Sequence, residues 1–301
     1  MVGAGHEPIA WSTVEGLPDE LVEFAQEPRN LMPAVRPAAV AGMFYPEAPA
    51  VLAAEVRGYL GRVALPSKDA VAPKALIVPH AGYVYSGPIA ASAYRRLAAQ
   101  ADVIRRVVLF GPTHRVPILG LALPSVRAFA TPLGIVDVDA DAAARALTLA
   151  QVRTSDAAHA LEHSLEVQLP FLQMVLREFR IVPFAVGDAT AAQVAEVIEL
   201  LWNDPQTLIV VSSDMSHYHR YNEARALDRA TADAVLTLSA TLQAEQACGA
   251  TPVNGLLMAA RRRGLQPELI DLRNSGDTAG DKSRVVGYGS FTFGEAAHDR
   301  P

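Results

Sequence analysis

Three apolar runs in this sequence end in the same way, with small residues followed by a side chain that can bind a metal or carry a proton. The sequence contains the runs KALIV, RVVLF and LIVV, which are followed within a few residues by His80, His114 and Asp214. Short runs rich in β-branched residues are typical of strands buried on both faces of a parallel sheet. Ligands bind at the carboxyl edge of such sheets, so the sequence predicts a binding site formed by these three residues.

Composition excludes several classes of function. Half of the 301 residues are apolar, which is enough for a substantial core, and the formal net charge is -6. That charge argues against nucleic acid or an anionic membrane as a partner. The apolar runs are too short to span a bilayer, and the N-terminus lacks the pattern of a signal peptide. A single cysteine, Cys248, excludes an internal disulfide and fits a reducing compartment, so we expect a cytoplasmic protein.

Strand-like and helix-like segments alternate along most of the chain. We therefore expect an α/β fold, a single domain with a mainly parallel or mixed central sheet flanked by helices. Residues 1–35 read as an N-terminal extension with a short helix over 18–26, and residues 36–298 as the folded domain. Helices are predicted over 48–62, 89–100, 140–150, 191–202, 222–248 and 252–263, with another ending near 178, and further strands over 119–124, 134–138, 180–186, 268–272 and 283–293.

Two histidines at the same end of consecutive parallel strands favour a metal site. Their side chains would emerge beside each other, and neutral imidazole is the commonest protein ligand of transition metals. Taken alone, Cys248 is better explained as a small buried hydrophobic residue. It is followed by Gly249 and stands at a break between helical segments, where its sulfur could instead be exposed. The sequence leaves these two interpretations of the cysteine open.

The segment after the third run holds a carboxylate and an imidazole three residues apart. If a helix begins here, Asp214 and His217 share a face that points toward the cleft; the alternative is that Asp214 only caps a helix. Ser212 and Ser213 precede them, but no Gly-x-Ser-x-Gly motif surrounds these serines, so a serine nucleophile is disfavoured.

A second acidic and histidine-containing segment is 162–166, Glu-His-Ser-Leu-Glu. Either it starts a helix through local caps, or His163 and Glu166 orient a ligand of the predicted site. The remaining histidines have weaker contexts and are interpreted as surface residues: His159, His219 and His298.

Six motifs in order resemble those of the Memo family, whose bacterial and archaeal members are labelled AmmeMemoRadiSam system protein B. They are RPAAVAGMFYP at 36–46, PHAGYVYSG at 79–87, GPTH at 111–114, EHSLE at 162–166, SSDMSH at 212–217 and CGxxP at 248–252. The resemblance extends from residue 36 to the C-terminal strand, and the first 35 residues lie outside it.

The resemblance implies a LigB-like fold, that of the class III extradiol dioxygenases, which bind non-haem Fe(II) through two histidines and a glutamate. His80 and His114 match the metal-binding histidines, and Cys248 stands where the dioxygenases have glutamate. His217 matches their acid/base histidine, and Asp214 belongs to the same pocket in Memo proteins. Fe(II) is the metal expected first and copper the second, and a radical-SAM enzyme of the same system is a possible partner.

The cysteine separates this chain from the ring-cleaving enzymes, because a thiolate makes the site softer and more tolerant of copper. Our preferred hypothesis is a metal-dependent oxidoreductase in which His217 shuttles a proton, Asp214 orients it, and Tyr83 and Tyr85 line the mouth. The alternative is a binding site for a peptide or small anion that carries out no catalysis. A metal-dependent hydrolase is a third and weaker interpretation.

Overall fold

The three apolar runs form neighbouring strands at the centre of a nine-stranded mixed sheet. The structure is a computed structural model that describes residues 34–67 and 70–295. The strands are β1 (Val35–Arg36), β2 (Pro73–Val78), β3 (Arg106–Pro112), β4 (Leu121–Leu123), β5 (Ala128–Thr131), β6 (Gly134–Asp137), β7 (Val152–Thr154), β8 (Arg180–Val186), β9 (Thr207–Ser212), β10 (His217–His219), β11 (Leu265–Asn274) and β12 (Val285–Glu295). The helices are α1 (Pro49–Gly61), α2 (Tyr83–Tyr94), α3 (Ala140–Ala146), α4 (Asp156–Ala160), α5 (Leu169–Val175), α6 (Ala191–Leu201), α7 (Tyr221–Leu236), α8 (Ala250–Arg262) and α9 (Ser275–Thr278).

The order of strands in the large sheet is β10-β12-β2-β9-β3-β8-β4-β7, with β11 paired to β12. The four central strands, β2, β9, β3 and β8, are parallel, whereas β12 and β4 run antiparallel to their neighbours β2 and β8. The predicted α/β domain with a mainly parallel or mixed sheet is therefore confirmed. β1, β5 and β6 form a separate small sheet.

The central strands are covered on both faces, which explains why they are apolar without alternation. In β3, Val108 and Phe110 pack in one apolar cluster with residues of α6 and α8. Val107 and Leu109, on the other face, pack in a second cluster with residues of α1, α2 and α5. The loops that leave the carboxyl edge of β2, β3 and β9 thus follow strands whose last residues are all buried.

Two predicted helices differ from the structure. The helix expected over 89–100 begins earlier, at Tyr83, contains Pro88, and ends at Tyr94, after which Arg95–Gln100 form a 3₁₀ helix. Proline normally disfavours a helix interior, so the sequence pattern placed the start after it. Burial of almost the whole helix outweighs that preference.

The long helix predicted over 222–248 is wrong in its second half. Helix α7 ends at Leu236, and Leu238 has a left-handed backbone (φ 53°) that breaks the helical path. The segment that follows is instead bound to α8, because the side-chain amide of Asn254 accepts from the backbone N–H of Leu242 and donates to the carbonyl of the same residue. A tertiary contact therefore outweighs the helical preference of this Ala- and Gln-rich stretch.

Smaller differences concern element ends and missed strands. Helices α3 and α5 are shorter than predicted, and the short strands β1, β5, β7 and β10 were not predicted. His159, interpreted as a surface residue, is buried, and its Nε2 lies 2.9 Å from the carbonyl oxygen of Ala122. The helix predicted over 18–26 and His298 lie outside the described residues. Within the part of the chain that the structure describes, no helix is long and apolar enough to cross a membrane.

Candidate metal centre

Three histidines meet at the carboxyl edge of the central strands. His80 follows β2, His114 follows β3, and His163 lies in the loop between α4 and the 3₁₀ turn that precedes α5. Each offers one ring nitrogen, and these three atoms lie within 4.8 Å of one another. The rings of His114 and His163 are stacked with centroids 4.5 Å apart, and His80 stands nearly perpendicular to both. The group could hold a metal ion.

Glu162 orients two of the three imidazoles. Its carboxylate accepts from Nδ1–H of His114 at 2.8 Å and from the backbone N–H of the same residue at 2.6 Å. It also accepts from the backbone N–H groups of His163 and Ser164, and Nδ1 of His163 lies 3.3 Å away. Since a carboxylate accepts from Nδ1–H, Nε2 of His114 keeps its lone pair for a metal.

The ionisation states of Glu162 and His163 suit a metal site. Burial alone would raise the pKa of the Glu162 carboxyl, but the hydrogen bonds from the His114 side chain and from backbone N–H groups outweigh it and lower the pKa to about 2. Burial, together with the neighbouring His114, lowers the pKa of His163 to about 4. His163 is therefore neutral at pH 7, as a metal ligand must be.

The tautomer of His80 follows from the hydrogen bonds of Ser212. The Ser212 hydroxyl donates to the carbonyl of Ser164 at 2.6 Å and accepts from the side-chain amide of Gln168 at 2.8 Å. Its only proton is thus used, and Nδ1 of His80, 2.9 Å away, must be the donor in that contact. Nε2 of His80 is then unprotonated, and burial followed by the neighbouring imidazoles keeps the pKa of this ring well below its usual value.

Cys248, which precedes α8 in the chain, places its sulfur against His80. Its Sγ lies 3.2 Å from Nε2 of His80 and accepts from the backbone N–H of Asp214 at 3.3 Å. The approach depends on Gly249, where an added Cβ would lie 2.7 Å from the side chain of Ser213. Burial and the charge of Asp214 raise the pKa of the thiol to about 12, so the sulfur is protonated when no metal is bound.

Asp214 and His217 do not lie on a helix. Residues 213–216 are irregular, and His217 starts β10, which pairs with β12 through Val286. The Asp214 carboxylate accepts from the backbone N–H of His80 at 2.7 Å instead of capping a helix, and burial raises its pKa to about 7. His217 lies close enough to the centre to be affected by it: burial, followed by the charge of His114, lowers its pKa.

The two tyrosines of the PHAGYVYSG motif have different positions. Tyr83 is buried, and its hydroxyl donates to the carbonyl of Val167 at 2.6 Å, so this side chain packs in the core and does not line the mouth. Tyr85 is 40% exposed on the first turn of α2.

Glu166 acts at a distance from the histidines. Its fully buried carboxylate pairs with Arg36, accepts from the Tyr45 hydroxyl, and accepts from the backbone N–H groups of Ala39 and Val40. These bonds fix the segment 36–45 beside the centre. The ring of Phe44, in that segment, packs against His163 with centroids 4.6 Å apart.

A cavity of about 400 Å³ adjoins the centre and is lined by both His114 and Cys248. Its remaining walls come from the loop after β3, the end of β8 and the start of α8. A larger groove of about 670 Å³ lies where β3 and β8 begin, lined by Arg106, Arg180 and Asp139 among others. That groove is at the opposite edge of the sheet from the histidines, so we assign the ligand site to the smaller cavity.

The donors fit a transition metal. Metal–nitrogen bonds near 2.1 Å and metal–sulfur bonds near 2.3 Å put neighbouring donor atoms roughly 3–4.5 Å apart. The three ring nitrogens, within 4.8 Å of one another, are close to that spacing, and Sγ of Cys248 lies 3.2 Å from Nε2 of His80. His80 and His114, selected from sequence, are thus brought together with His163, whereas the sulfur of Cys248 contacts His80 but does not lie within 4.8 Å of all three histidine donors.

The orienting groups were not recognised in the sequence. Ser212 was considered only as a disfavoured nucleophile, Glu162 only as part of the segment 162–166 in which His163 and Glu166 were named as the orienting residues, and Gln168 was not considered. Each of these groups contacts a residue that is distant in sequence: Glu162 is 48 residues from His114, Ser212 is 132 from His80, and Gln168 is 44 from Ser212. The one local signal was the placement of Glu162 directly before His163.

Comparison with known proteins identifies the family. The family described as "Memo-like protein" matches residues 36–292. A MEMO1 family protein of Aquifex aeolicus (strain VF5) is 37% identical over 86% of this chain and 99% of its own length. One from Archaeoglobus fulgidus is 38% identical over 84% of this chain and 97% of its own. Among solved structures, that of the uncharacterized protein JW3007 from Escherichia coli K12 aligns with a TM-score of 0.44 and 12% sequence identity. The alignment covers 72% of this chain and 98% of JW3007, and it supports no argument about function. The matched span and the identity over nearly the whole length of these relatives show that this chain belongs to the Memo-like protein family.

Proposed function

We propose that this protein is a metal-dependent redox protein whose centre binds Fe(II), with copper as the second candidate. The observation that supports the proposal is the convergence of the ring nitrogens of His80, His114 and His163, with the sulfur of Cys248 in contact with His80. A mixed imidazole and thiolate set suits iron and copper better than the hard cations magnesium and calcium. When bound, the metal would supply one-electron redox chemistry to a substrate in the adjoining cavity.

The protein's own groups would manage the protons. Coordination by Cys248 requires its thiol proton to leave, and the backbone N–H of Asp214 already points at the sulfur and would stabilise the thiolate. The Asp214 carboxyl, with a pKa of about 7, can hold a proton at neutral pH. His217, whose pKa is lowered mainly by burial, is neutral there and can accept a proton on its ring.

The experiment is metal analysis of protein purified without oxygen. We expect about one iron or copper per chain in the wild type, loss of the metal in His114→Ala, and weakened retention in Cys248→Ser. His219→Ala is the matched control, since this half-exposed imidazole contacts Glu223 and not the centre. Oxygen consumption in the presence of a reductant, lost with the metal, would support a redox role.

Two results would reject the proposal. One is wild-type protein that takes up no transition metal under anaerobic loading. The other is uptake that is the same in His114→Ala and wild type. Binding of a small anion or peptide that survives chelation and Cys248→Ser, without oxygen consumption, would favour a binding protein that carries out no catalysis.

A further inference from the structure

The cavity beside the metal centre has apolar walls and one arginine. Its apolar lining comes from three prolines and three branched aliphatic side chains, and His114 and Cys248 also line it. These apolar lining residues are Pro112, Val116, Pro117, Ile118, Val186 and Pro252. A volume of about 400 Å³ is in the range of pockets that bind small molecules.

Arg115 lies next to the metal centre and forms no salt bridge with any residue that the structure describes. It follows His114 directly, lines the cavity and is exposed. Among the residues that the structure describes, no carboxylate lies within 4.0 Å of its guanidinium, whereas Arg36, Arg106 and Arg273 are each paired. Its positive charge is near enough to act on His163, where it lowers the pKa of the imidazole after the larger effects of burial and of nearby residues.

A guanidinium in this position selects for a particular kind of ligand. Its planar N–H groups match a carboxylate or a similar planar anion through two parallel hydrogen bonds. An apolar surface next to it favours a ligand that has a hydrophobic body as well as the anionic group. Asp188 also lines the cavity, and its charge opposes anion binding.

We propose that the substrate or ligand of this centre is a small apolar carboxylate, with Arg115 binding the carboxylate and the cavity wall after β3 holding the apolar body. Arg115 is thus a specificity-determining residue that does not bind the metal. The inference rests on the proposed function only where it calls this ligand a substrate, because the binding itself does not require a metal.

The test compares carboxylates with their neutral amides. Benzoate, phenylacetate and hexanoate, each with its matched amide, are titrated by calorimetry into metal-free and Co(II)-loaded protein. We expect each acid to bind the wild type at least roughly tenfold more tightly than its amide, because charge-assisted hydrogen bonds are about twice as strong as neutral ones. Arg115→Gln should remove that preference by weakening acid binding more than amide binding, and Asp188→Asn should increase it.

Arg57→Gln is the matched control, because Arg57 is an exposed arginine on α1 that does not line the cavity. The inference is overturned if acids and amides bind the wild type equally, or if Arg115→Gln keeps the preference. Measuring the metal content of the same samples distinguishes failure of this inference from failure of the proposed function. An Arg115-dependent preference in a protein that takes up no metal would leave this inference standing and reject the redox role, and metal uptake without the preference would do the reverse.

Discussion

Replacing Glu162 by glutamine tests whether the orienting carboxylate controls the metal centre. The change keeps the size of the side chain but turns one acceptor oxygen into a donor. If the amide oxygen takes the place of Oε1, it keeps the acceptor for His114 Nδ1–H and for the N–H groups of His163 and Ser164. The amide nitrogen then faces the backbone N–H of His114, which donates to Oε2 at 2.6 Å in the wild type.

The expected cost has two parts. A buried N–H left without an acceptor costs about 1–3 kcal/mol of stability, and three charge-assisted bonds become weaker neutral ones. Loss of a partner that orients a metal-binding histidine typically weakens metal binding by about 10- to 100-fold, which corresponds to about 1.4–2.7 kcal/mol. Metal affinity should therefore fall by one to two orders of magnitude in a protein that still folds.

The affinity is measured by competition between protein and a chelator for Co(II), and stability by urea unfolding of the metal-free protein. The matched control is Asp139→Asn, because Asp139 is a buried carboxylate that accepts from Arg106 and from the backbone of Ala142, far from the histidines along the sheet. The control should lose stability without a change in metal affinity. Equal affinities for Glu162→Gln and wild type, or equal losses in both variants, would refute the reasoning.

Two further predictions concern stability. Glu166→Gln leaves the buried guanidinium of Arg36 without its counter-charge, and we expect the free energy of unfolding to fall by about 3–5 kcal/mol in urea titrations; a loss below 1 kcal/mol would contradict the anchoring role of this pair. Burial would raise the pKa of Asp139, but the hydrogen bonds from Ala142 and Arg106 lower it overall. The carboxylate therefore contributes its full stabilisation above the pKa that it has in the unfolded chain, about 4, and this stabilisation is lost as the pH falls below that pKa. The stability difference between wild type and Asp139→Asn, about 1–2 kcal/mol at pH 7 because asparagine keeps the cap but loses the charge opposite Arg106, should therefore shrink on acidification below pH 4, and a difference that grows there would show the wrong sign.

Local sequence patterns predicted the central strands more accurately than the ends of the helices. The central strands are buried on both faces, so their apolar runs are continuous and easily recognised. Helix ends were less certain because long-range contacts decide them. The chain leaves the helical path at Leu238, and Asn254 holds the following segment, although its composition favours a helix.

The sequence by itself determined the α/β architecture and the edge of the sheet at which His80 and His114 emerge, since strand position and direction follow from the order of apolar runs. Only the tertiary structure decided which other groups join them. Cys248 comes within 3.2 Å of His80 across 168 residues of chain, and Glu162 and Ser212 orient imidazoles that are distant in sequence. Such contacts depend on how loops from separate strands pack together, and no periodicity within a single segment carries that information.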